Sequence, residues 1–378
     1  MEVIVGKPIP ELVKKIIKEA IAIQQIPSPT FEEAKRARYV KNRFVDENFS
    51  EVFIDSVNNV YARIKGGEKH PVVVSAHLDT VFDSSCDLSV RIEEDKIFGP
   101  GIGDNSLGVA FLLMMKHILQ CMGERPEGDI ILVANACEEG TGDLRGMKEA
   151  FARTIKENPI AYIVLEGSSG ADCIYTRGVG SIRFKISAHG RGGHSWHDFG
   201  NSSAVHGLVK LAAVLTELSV TVEPRSTFNI GVITGGTSIN TIAQTASLLL
   251  DLRSETCDWL DHMVQQVKQM IDKFSMDDIT ITTEKIGDRP SGMISVASPL
   301  ISLCHSVFLE TGFNDAKFKS GSTDANIPFS ENVPAVCIGI CDGQDVHKPS
   351  ECLMTGSMDR AVEKVGKIVS RVWQMEKF

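Results

Sequence analysis

The chain has 378 residues, of which 43% are hydrophobic and 23% are charged, and its formal net charge is −10. This length exceeds what one hydrophobic core usually supports, so we expect two domains or one large domain with an insertion. The acidic balance, with no basic stripe or nucleic-acid-binding motif in the sequence, argues against nucleic acid as a partner. No apolar run in the sequence is long enough to predict a membrane span.

The cysteines and the amino-terminal segment bear on the cellular compartment. The nine cysteines are irregularly spaced and odd in number, which argues against a disulfide framework. Residues 1–20 place charges inside a helical pattern and show neither an apolar signal-peptide core nor a small-residue cleavage site. We therefore expect a cytoplasmic protein.

Helices and strands alternate through the first 178 residues. Apolar residues at helical spacing predict helices at residues 10–26 and 29–49, the second with Thr30 as N-cap and Glu33 completing a capping box. Residues 80–103 lack periodicity and are expected to form a functional loop. The other elements are predicted as strands at residues 51–54, 59–64, 71–76, 129–136 and 160–165 and helices at residues 105–120 and 145–156. This alternation is typical of an α/β fold with a mostly parallel sheet and helices on both faces.

The pattern changes near residue 178 and returns after residue 288. Between these positions the order is strand, helix, strand, strand, helix, strand, which is the ferredoxin-like α+β arrangement. These elements are predicted at residues 181–188, 203–219, 228–233, 245–253, 259–274 and 279–286. The α/β pattern then resumes with elements predicted near residues 297–311, 333–340 and 357–375. We therefore predict a large domain of residues 1–178 and 288–378, interrupted by an inserted domain of residues 179–287.

Side chains with metal-binding chemistry follow the predicted strands. The strand VVVSA leads into His77 and Asp79, whose side chains point the same way because an extended backbone alternates. In an open α/β sheet, the carboxyl ends of the strands face the ligand crevice. Imidazole and carboxylate groups bind divalent cations there, and one shared carboxylate can hold two of them. The further candidates at comparable positions are Asp104, Glu138, Glu139, Glu166 and His347.

Each of these residues also has an ordinary structural interpretation. His77 could be a hydrogen-bonded residue at a strand end, and Asp104 stands where a helix N-cap belongs. Glu138 and Glu139 could be solvated loop acids, and His347 could be a surface residue. Their joint placement at one edge of the sheet favours a metal site over these separate interpretations.

Five segments resemble the signature segments of a known family, in the same order along the chain. They are SAHLDT (75–80), GPGIGDNSLGVA (99–110), NACEEGTGDLRGM (135–147), the strand end at Glu166, and VHKPSE (346–351). The family is the dinuclear zinc amidohydrolases and exopeptidases, which includes carboxypeptidase G, aminoacylase, acetylornithine deacetylase, succinyl-diaminopimelate desuccinylase and peptidase T. The resemblance covers nearly the whole chain and implies the zinc-exopeptidase type of α/β fold.

The resemblance implies a metal centre with defined ligands. His77 and Glu166 would bind one Zn²⁺ ion, Glu139 and His347 would bind a second, and Asp104 would bridge them. Mn²⁺ or Co²⁺ could replace zinc. In the family the peptide bond after the bridging Asp is cis, so we expect a cis bond between residues 104 and 105.

The resemblance also implies roles beside the metals. Glu138 would be the general base, which takes a proton from the metal-bridging water and delivers it to the leaving amine. Asp79 would accept a hydrogen bond from His77 and fix its tautomer. Adjacent glutamates suit this division of labour, because successive side chains diverge.

The inserted domain resembles the family's lid and dimerisation domain, which implies a homodimer. His194 in GRGGHSW matches a family histidine that reaches into the partner's site and polarises the scissile carbonyl, whereas His189 and His197 are competing candidates better suited to surface or structural roles. Asn240 and Arg253 match positions that contact substrate, and Arg suits a carboxylate. They could instead be a turn residue and a surface strand residue.

A further substrate contact is expected in the loop SGSTDA, residues 320–325. It resembles the family's loop for a substrate carboxylate, where backbone N–H groups near Gly321 and Ser322 could receive an anion.

Two features bear on the substrate. Residues 105–108, NSLG, are closest to peptidase T-like members, whereas Glu rather than Asp at position 166 resembles the deacylases and carboxypeptidases. Our leading hypothesis is a peptidase T-like exopeptidase that hydrolyses the amide bond of small peptides. The alternative is an N-acyl amino acid deacylase or carboxypeptidase of the same family.

Two other classes of function are less compatible with the sequence. A non-catalytic binding protein of this fold would have lost a ligand or the base, and all of them are present. A nucleotide-dependent oxidoreductase would need G-x-G-x-x-G, but Ser106 stands where the third Gly belongs and Asp104 would repel a pyrophosphate.

Overall fold

The computed structural model describes residues 9–377, with side chains described through residue 375. The chain divides into two compact units, one made of residues up to Gly178 together with those from Met293 onward, and one spanning Val179–Gly292. Residues 1–8 and 378 of the predicted large domain lie outside the described residues. The catalytic role inferred for the first unit and the lid role inferred for the second stay predictions.

The regular elements are numbered in chain order. The helices are α1 (Ile9–Gln24), α2 (Ala34–Asp46), α3 (Gly108–Met122), α4 (Arg145–Thr154), α5 (Ala204–Leu215), α6 (Cys257–Lys273), α7 (Pro299–Glu310), α8 (Asn326–Ser330) and α9 (Met358–Arg371). The strands are β1 (Ser50–Ile54), β2 (Val60–Ile64), β3 (Lys69–His77), β4 (Arg91–Glu93), β5 (Lys96–Phe98), β6 (Gly128–Asn135), β7 (Tyr162–Glu166), β8 (Cys173–Gly178), β9 (Gly180–His189), β10 (Gly193–His194), β11 (Ser226–Gly235), β12 (Thr241–Ile242), β13 (Thr245–Ser254), β14 (Thr280–Arg289), β15 (Gly292–Met293), β16 (Lys317–Gly321), β17 (Ala335–Gly339), β18 (Asp342–Gln344) and β19 (Cys352–Met354).

The first unit is built on one large sheet. Its strands follow the order β1-β2-β6-β3-β7-β17-β8, and β16 pairs with β8. The central strands β6, β3, β7 and β17 run parallel, whereas the β1–β2, β2–β6 and β17–β8 pairs are antiparallel. The predicted α/β fold with a mostly parallel sheet is confirmed.

The strand β3 is buried because helices cover both faces of the sheet. Val72 and Val74 belong to the core that contains most of α3, whereas Val73 packs in the opposite core with Met147 and Ala150 of α4. Because successive side chains enter cores on opposite faces of the sheet, both faces of the strand require apolar residues, and its sequence is a continuous apolar run. The sheet's carboxyl edge, where His77 ends β3, is therefore held on a rigid support.

Several short strands were not predicted. β4 and β5 form a hairpin inside the expected loop of residues 80–103, and they join β18 and β19 in a small antiparallel sheet. Each of these strands has only three residues, so no apolar alternation marks them in the sequence. Pairing over long sequence separations creates this sheet.

The sequence analysis also does not predict β8 and β16 of the large sheet. Gly321 ends β16 rather than lying in a loop.

The second unit has the predicted ferredoxin-like arrangement. Its sheet has the order β11-β13-β9-β14 with antiparallel pairing throughout, and α5 and α6 connect strands in the order strand, helix, strand, strand, helix, strand. Alternate residues of β13, such as Leu248, Leu250 and Leu252, are buried in the core shared with both helices. A separate two-strand ribbon joins β10 and β12.

Two further features concern the described residues as a whole. None of the described helices combines the length and apolar character that crossing a membrane would require. No disulfide forms within residues 9–377, in line with the irregular spacing of the cysteines.

Candidate metal centre and active site

Asp104 lies between two histidines from distant parts of the chain. Its Oδ1 atom is 3.0 Å from His77 Nε2, and its Oδ2 atom is 2.9 Å from His347 Nε2. Each carboxylate oxygen therefore faces a different imidazole. A carboxylate in this arrangement can bridge two cations, each of which has its own histidine.

Two clusters of candidate ligands share Asp104. In the first, His77 Nε2 is 3.7 Å from Glu166 Oε2, and in the second, His347 Nε2 is 3.1 Å from Glu139 Oε1. In each cluster the possible ligand atoms lie within 4.8 Å of one another. A third grouping of this kind joins His77 with Glu138 and Glu139. The structure thus brings together all five residues that the resemblance implies as metal ligands, and their binding of metal stays a prediction.

The parallel centre of the sheet explains this convergence. His77 ends β3, Glu166 ends β7, and Glu138 and Glu139 follow β6. Both β6 and β7 pair in parallel with β3. The carboxyl ends of parallel neighbours necessarily lie at the same edge. His347 reaches this edge from the connection between β18 and β19.

The acidic groups of the site are buried, which changes their protonation. Burial, together with the charge of Glu138, raises the pKa of Glu139 to about 8, and burial raises the pKa of Glu166 to about 7 although the charge of nearby His77 opposes this rise. Burial also opposes ionisation of Asp104, but hydrogen bonds from His347 and His77 outweigh it and hold its pKa well below the ordinary value. Burial therefore disfavours the charged forms of Glu139 and Glu166, which a cation bound beside them would stabilise.

The histidines show the complementary effect. Hydrogen bonds to Asp104 and then Glu139 raise the pKa of His347 to about 10. Burial disfavours the charged form of His77, yet contacts with Asp104, Asp79 and Glu166 raise its pKa well above the ordinary value. The same oxygens that stabilise an imidazolium would stabilise a metal cation bound by the imidazole. The donor set of carboxylates and imidazoles therefore fits a pair of divalent cations.

Asp79 has different partners from those expected. His77 Nδ1 lies 3.0 Å from the backbone carbonyl of Asp79 and 3.7 Å from its carboxylate, so the carbonyl receives the ring N–H. A carbonyl can only accept, which places a proton on Nδ1 and would leave Nε2 to bind a cation. The group positioned to fix the ring tautomer is therefore the backbone of Asp79, not its side chain as predicted.

The Asp79 carboxylate instead holds the loop that carries the two glutamates. It accepts hydrogen bonds from the backbone N–H groups of Glu138 at 2.9 Å and Glu139 at 2.8 Å. The preceding N–H, that of Cys137, donates to the buried carboxylate of Glu33 at 3.1 Å. Three consecutive N–H groups are therefore bound by two buried carboxylates, which fixes the backbone at the candidate base.

The predicted N-cap role of Thr30 is wrong. Helix α2 begins at Ala34, and the Thr30 hydroxyl donates to Asp79 Oδ2 at 2.9 Å. Glu33 does not bond back to Thr30 as a capping box requires, since its carboxylate accepts from the N–H groups of Phe31 and Cys137. The Ser/Thr-x-x-Glu pattern is local, whereas Asp79 and Cys137 come from distant segments.

The capping interpretation of Asp104 is also not what the structure shows. Helix α3 begins at Gly108, and the side chain of Asn105 accepts from Gly108 N at 3.1 Å. Asn105 also donates to the carbonyl of Leu165 at 2.8 Å, which links this turn to β7. The Asp104–Asn105 peptide bond is cis, as the resemblance implied. Asp104 is thus left to face the histidines.

Two buried acids near the site were not identified from the sequence. Glu351 accepts from three backbone N–H groups around Asp104, and burial together with the charge of Asp104 raises its pKa to about 7. Asp324 accepts from Asn135 at 2.7 Å, and burial together with the charge of Glu138 raises its pKa well above the ordinary value. Both lie in segments that the resemblance highlighted, VHKPSE and SGSTDA, which was the available signal.

The candidates of the second unit form a separate group. His194 pairs with Thr241 in the β10–β12 ribbon, and Ser195 N donates to the carbonyl of Asn240 at 3.0 Å. His194 Nδ1 accepts from Trp196 N at 3.2 Å, so in the neutral ring Nε2 carries the proton and is the donor. This is the protonation that the predicted carbonyl-polarising role requires.

Of the other candidates in the second unit, His197 lies next to His194, whereas Arg253 and His189 belong to strands of the four-stranded sheet. Arg253 lies near the end of β13, where its Nε donates to Asp251 at 2.6 Å. The His197 ring centroid is 4.7 Å from that of His194, and His189 is an exposed residue at the end of β9. Of the predicted carboxylate-binding pair in the first unit, Gly321 ends β16 and Ser322 follows it.

Comparisons with known proteins were made for both sequence and structure. The sequence profile described as Peptidase family M20/M25/M40 matches residues 73–371. A succinyl-diaminopimelate desuccinylase of Corynebacterium glutamicum is 26% identical over 338 residues, which cover 86% of this chain and 88% of that protein.

Solved structures show the same fold. A tripeptidase of Staphylococcus aureus has a TM-score of 0.77 at 17% identity and covers 96% of this chain and 99% of its own. A Bacillus subtilis peptidase of the M20 family, described as binding a dinuclear metal centre, has a TM-score of 0.67 at 14% identity, covering 97% of this chain and 99% of its own. The predicted hydrolytic enzyme class is thereby confirmed, and the chain belongs to peptidase family M20/M25/M40.

Proposed function

We propose that this protein is a two-metal exopeptidase, peptidase T-like, that hydrolyses an amide bond in small peptides. The observation that carries the proposal is the carboxylate of Asp104, which faces His77 on one side and His347 on the other. His77 and Glu166 would hold one cation, and His347 and Glu139 the other. We infer Zn²⁺ as the metal, with Mn²⁺ or Co²⁺ as substitutes, because imidazole and carboxylate ligands suit these ions.

The bound cations would supply Lewis acidity toward the scissile carbonyl and the attacking water. The side chain of Glu138 supplies the proton transfer: it takes a proton from the water and returns it to the leaving amine. Its neighbour Glu139 faces His347, so the two carboxylates have separate tasks. The contacts of Asp79 with both backbone N–H groups keep the pair in fixed orientations.

The inserted unit is proposed to serve as lid and dimerisation domain. Its edge strand β11 carries the exposed apolar residues Val232 and Ile233, and the neighbouring helix α5 exposes Val209. An edge strand with exposed apolar residues is suited to pairing with a second copy. In such a homodimer His194, with a proton on Nε2, would donate to the scissile carbonyl oxygen of a substrate.

Substrate recognition is proposed to involve a carboxylate of the peptide. Arg253 has a partly exposed guanidinium, which could bind a carboxylate through two parallel hydrogen bonds, and Asn240 would add an amide contact. Gly321 and Ser322 would contribute backbone N–H groups on the side of the first unit. These residues stay proposals, as does a cytoplasmic location.

A second candidate is the hydrolysis of N-acyl amino acids. It is favoured by the similarity to a desuccinylase, which covers most of both chains. The same metal centre and the same base would serve this reaction, because both reactions cleave an amide bond next to a carboxylate-bearing group. The two candidates differ only in what lies on the acyl side of that bond.

A substrate panel with the metal-loaded protein separates these functions. It should contain di- and tripeptides with free amino termini, N-acetyl and N-succinyl amino acids, and amides without a carboxylate. Release of a free N-terminal residue from peptides is the expected result. Activity confined to the N-acyl compounds would establish the second candidate instead, and hydrolysis of neither group would contradict the proposal.

A further inference from the structure

Glu351 is a fully buried carboxylate for which the proposed reaction has no role. Its Oε2 atom accepts from Gly101 N at 2.7 Å, and its Oε1 atom accepts from Gly103 N at 2.9 Å and Asp104 N at 3.0 Å. Both oxygens are therefore used by the backbone that leads into Asp104. In its ionised form, a carboxylate that accepts from three N–H groups holds a segment more strongly than a neutral acceptor would.

The backbone of Glu351 is held to the same segment. Its carbonyl accepts from Gly99 N at 2.9 Å, and the next residue, Cys352, is paired with Phe98 in the small sheet. The main chain and the side chain of Glu351 thus contact residues on both sides of the turn that begins at Gly101. Unlike a surface acid, Glu351 has little freedom to leave this position.

The glycine-rich sequence of the turn is adapted to this contact. Gly101 has φ of 72°, a conformation that favours glycine. A Cβ atom on Gly103 would lie 2.4 Å from the Ser168 Cβ and 3.2 Å from Glu351 Oε1. A side chain at position 103 would therefore clash with Ser168 and would also crowd the Glu351 carboxylate.

The position of Asp104 is demanding, because its two oxygens must face two different histidines. A rotation of its backbone would move both oxygens together, so one contact could not be kept without the other. His347 and Glu351 also belong to the same short segment, VHKPSE. Fixing Asp104 to this segment therefore fixes it relative to one of the histidines that it faces.

We propose that Glu351 is a positioning residue, which binds the backbone of residues 101–104 and thereby holds the Asp104 carboxylate between the two halves of the metal centre. This inference rests on the proposed function, because it assigns Glu351 to the same centre. Glu351 belongs to none of the groups of possible metal ligands among the described residues, and its oxygens accept from backbone N–H groups.

The test is metal binding by Glu351→Gln, measured with Co²⁺ alone on metal-free full-length protein. Gln has nearly the same shape, but its NH₂ group would face an N–H donor of the turn and could not accept a hydrogen bond from it. We expect the affinity for Co²⁺ to fall by about 10- to 100-fold, as is usual when a residue that orients metal ligands is changed. The visible absorption bands of the bound Co²⁺ should also change, because Asp104 would be a ligand of both ions.

Glu19→Gln is the matched control. Glu19 is also a buried acid of the first unit, but it pairs with Arg43 and Tyr39 of α2, away from the turn. This variant should lower Tm and leave the Co²⁺ titration and spectrum unchanged. A loss of affinity in both variants would show that general destabilisation is responsible, and would overturn the inference.

The outcomes separate this inference from the proposed function. Two Co²⁺ ions bound by Glu351→Gln with wild-type affinity and spectrum would overturn the role of Glu351 alone. Altered binding in the variant, with no hydrolysis of the substrate panel by the wild type, would contradict only the proposed function. Wild-type protein that binds fewer than two ions would contradict both. If Glu351→Gln does not fold, Glu351→Asp, which keeps the charge but shortens the reach, is subject to the same criteria.

Discussion

The candidate residues of the two units differ in how they are held. In the first unit, His77, Glu139 and Glu166 are buried, and carboxylates of other residues bind the backbone N–H groups of Asp104 and Glu139. In the second unit, His194 and Asn240 lie on an exposed ribbon next to Trp196, which is 82% exposed. Buried charges require many fixed partners, because an unpaired charge away from water is costly. Exposed polar side chains need no such support, because water can satisfy them.

Removal of the base should have the largest effect on the buried side of this comparison. Glu138→Ala is expected to lower kcat by about 10²- to 10⁴-fold, because proton transfer to the leaving amine is lost. The metal content, measured by elemental analysis, should stay at the wild-type value. Activity near that of the wild type would refute the assignment of Glu138 as base.

The exposed side is tested by His194→Ala. We expect kcat to fall by about 10²- to 10³-fold through loss of a donor to the carbonyl oxygen, with metal content and Tm unchanged. Mixing this variant with Glu138→Ala and re-equilibrating the subunits should restore part of the activity if each site uses a histidine from the partner. Full activity of His194→Ala would remove this residue from the mechanism.

Lys364 shows what burial does to a charge remote from the centre. Its ammonium donates to the carbonyls of Ala171 and Gly339, and burial lowers its pKa to about 8 from 10.5. Between pH 8 and pH 10.5 the unfolded state binds more protons than the folded state, so the free energy of unfolding should rise with pH. The rise attributable to Lys364 should be at most about 3 kcal/mol.

Urea unfolding of wild type and Lys364→Met across this pH range measures that rise. The difference between the two proteins removes the contributions of other groups that titrate in the same window. Equal slopes in both proteins would show that Lys364 is not responsible.

The smallest expected effect concerns the support of Asp79. Thr30→Val removes one hydrogen bond to a buried carboxylate, which keeps its two backbone donors. We expect the free energy of unfolding to fall by about 1.5–3 kcal/mol. Thr311→Val, which removes a neutral bond to the carbonyl of Val307, is the control and should cost about 0.5–1.5 kcal/mol. A smaller loss for Thr30→Val than for the control would count against charge-assisted support of Asp79.

The sequence was sufficient where the relevant pattern is local. The apolar run before His77, the polar residues after the other strands and each helix or strand of the insertion are marked by patterns among neighbouring residues. The fold class that they predict is confirmed. The ends of elements were also close, as for α6, predicted at residues 259–274 and found at Cys257–Lys273.

The sequence was insufficient where partners come from distant segments. Thr30 fitted a capping pattern, yet its partner is Asp79, and Asp79 binds the Glu138–Glu139 backbone rather than the His77 ring. Strands of three residues, such as β4 and β19, are too short to show a sequence pattern. They form because segments distant in the chain pair in one small sheet.

The sequence by itself determined which groups are available for chemistry and at which ends of strands they lie, because alternation and apolar runs are properties of neighbouring residues. Only the tertiary structure decided how those groups are held. Glu351 and Asp104 are far apart in the chain, and their contact depends on the folding of two segments onto one sheet edge. The buried carboxylates of Asp79 and Glu351 accept from backbone N–H groups, and such donors have no signature in the amino-acid sequence.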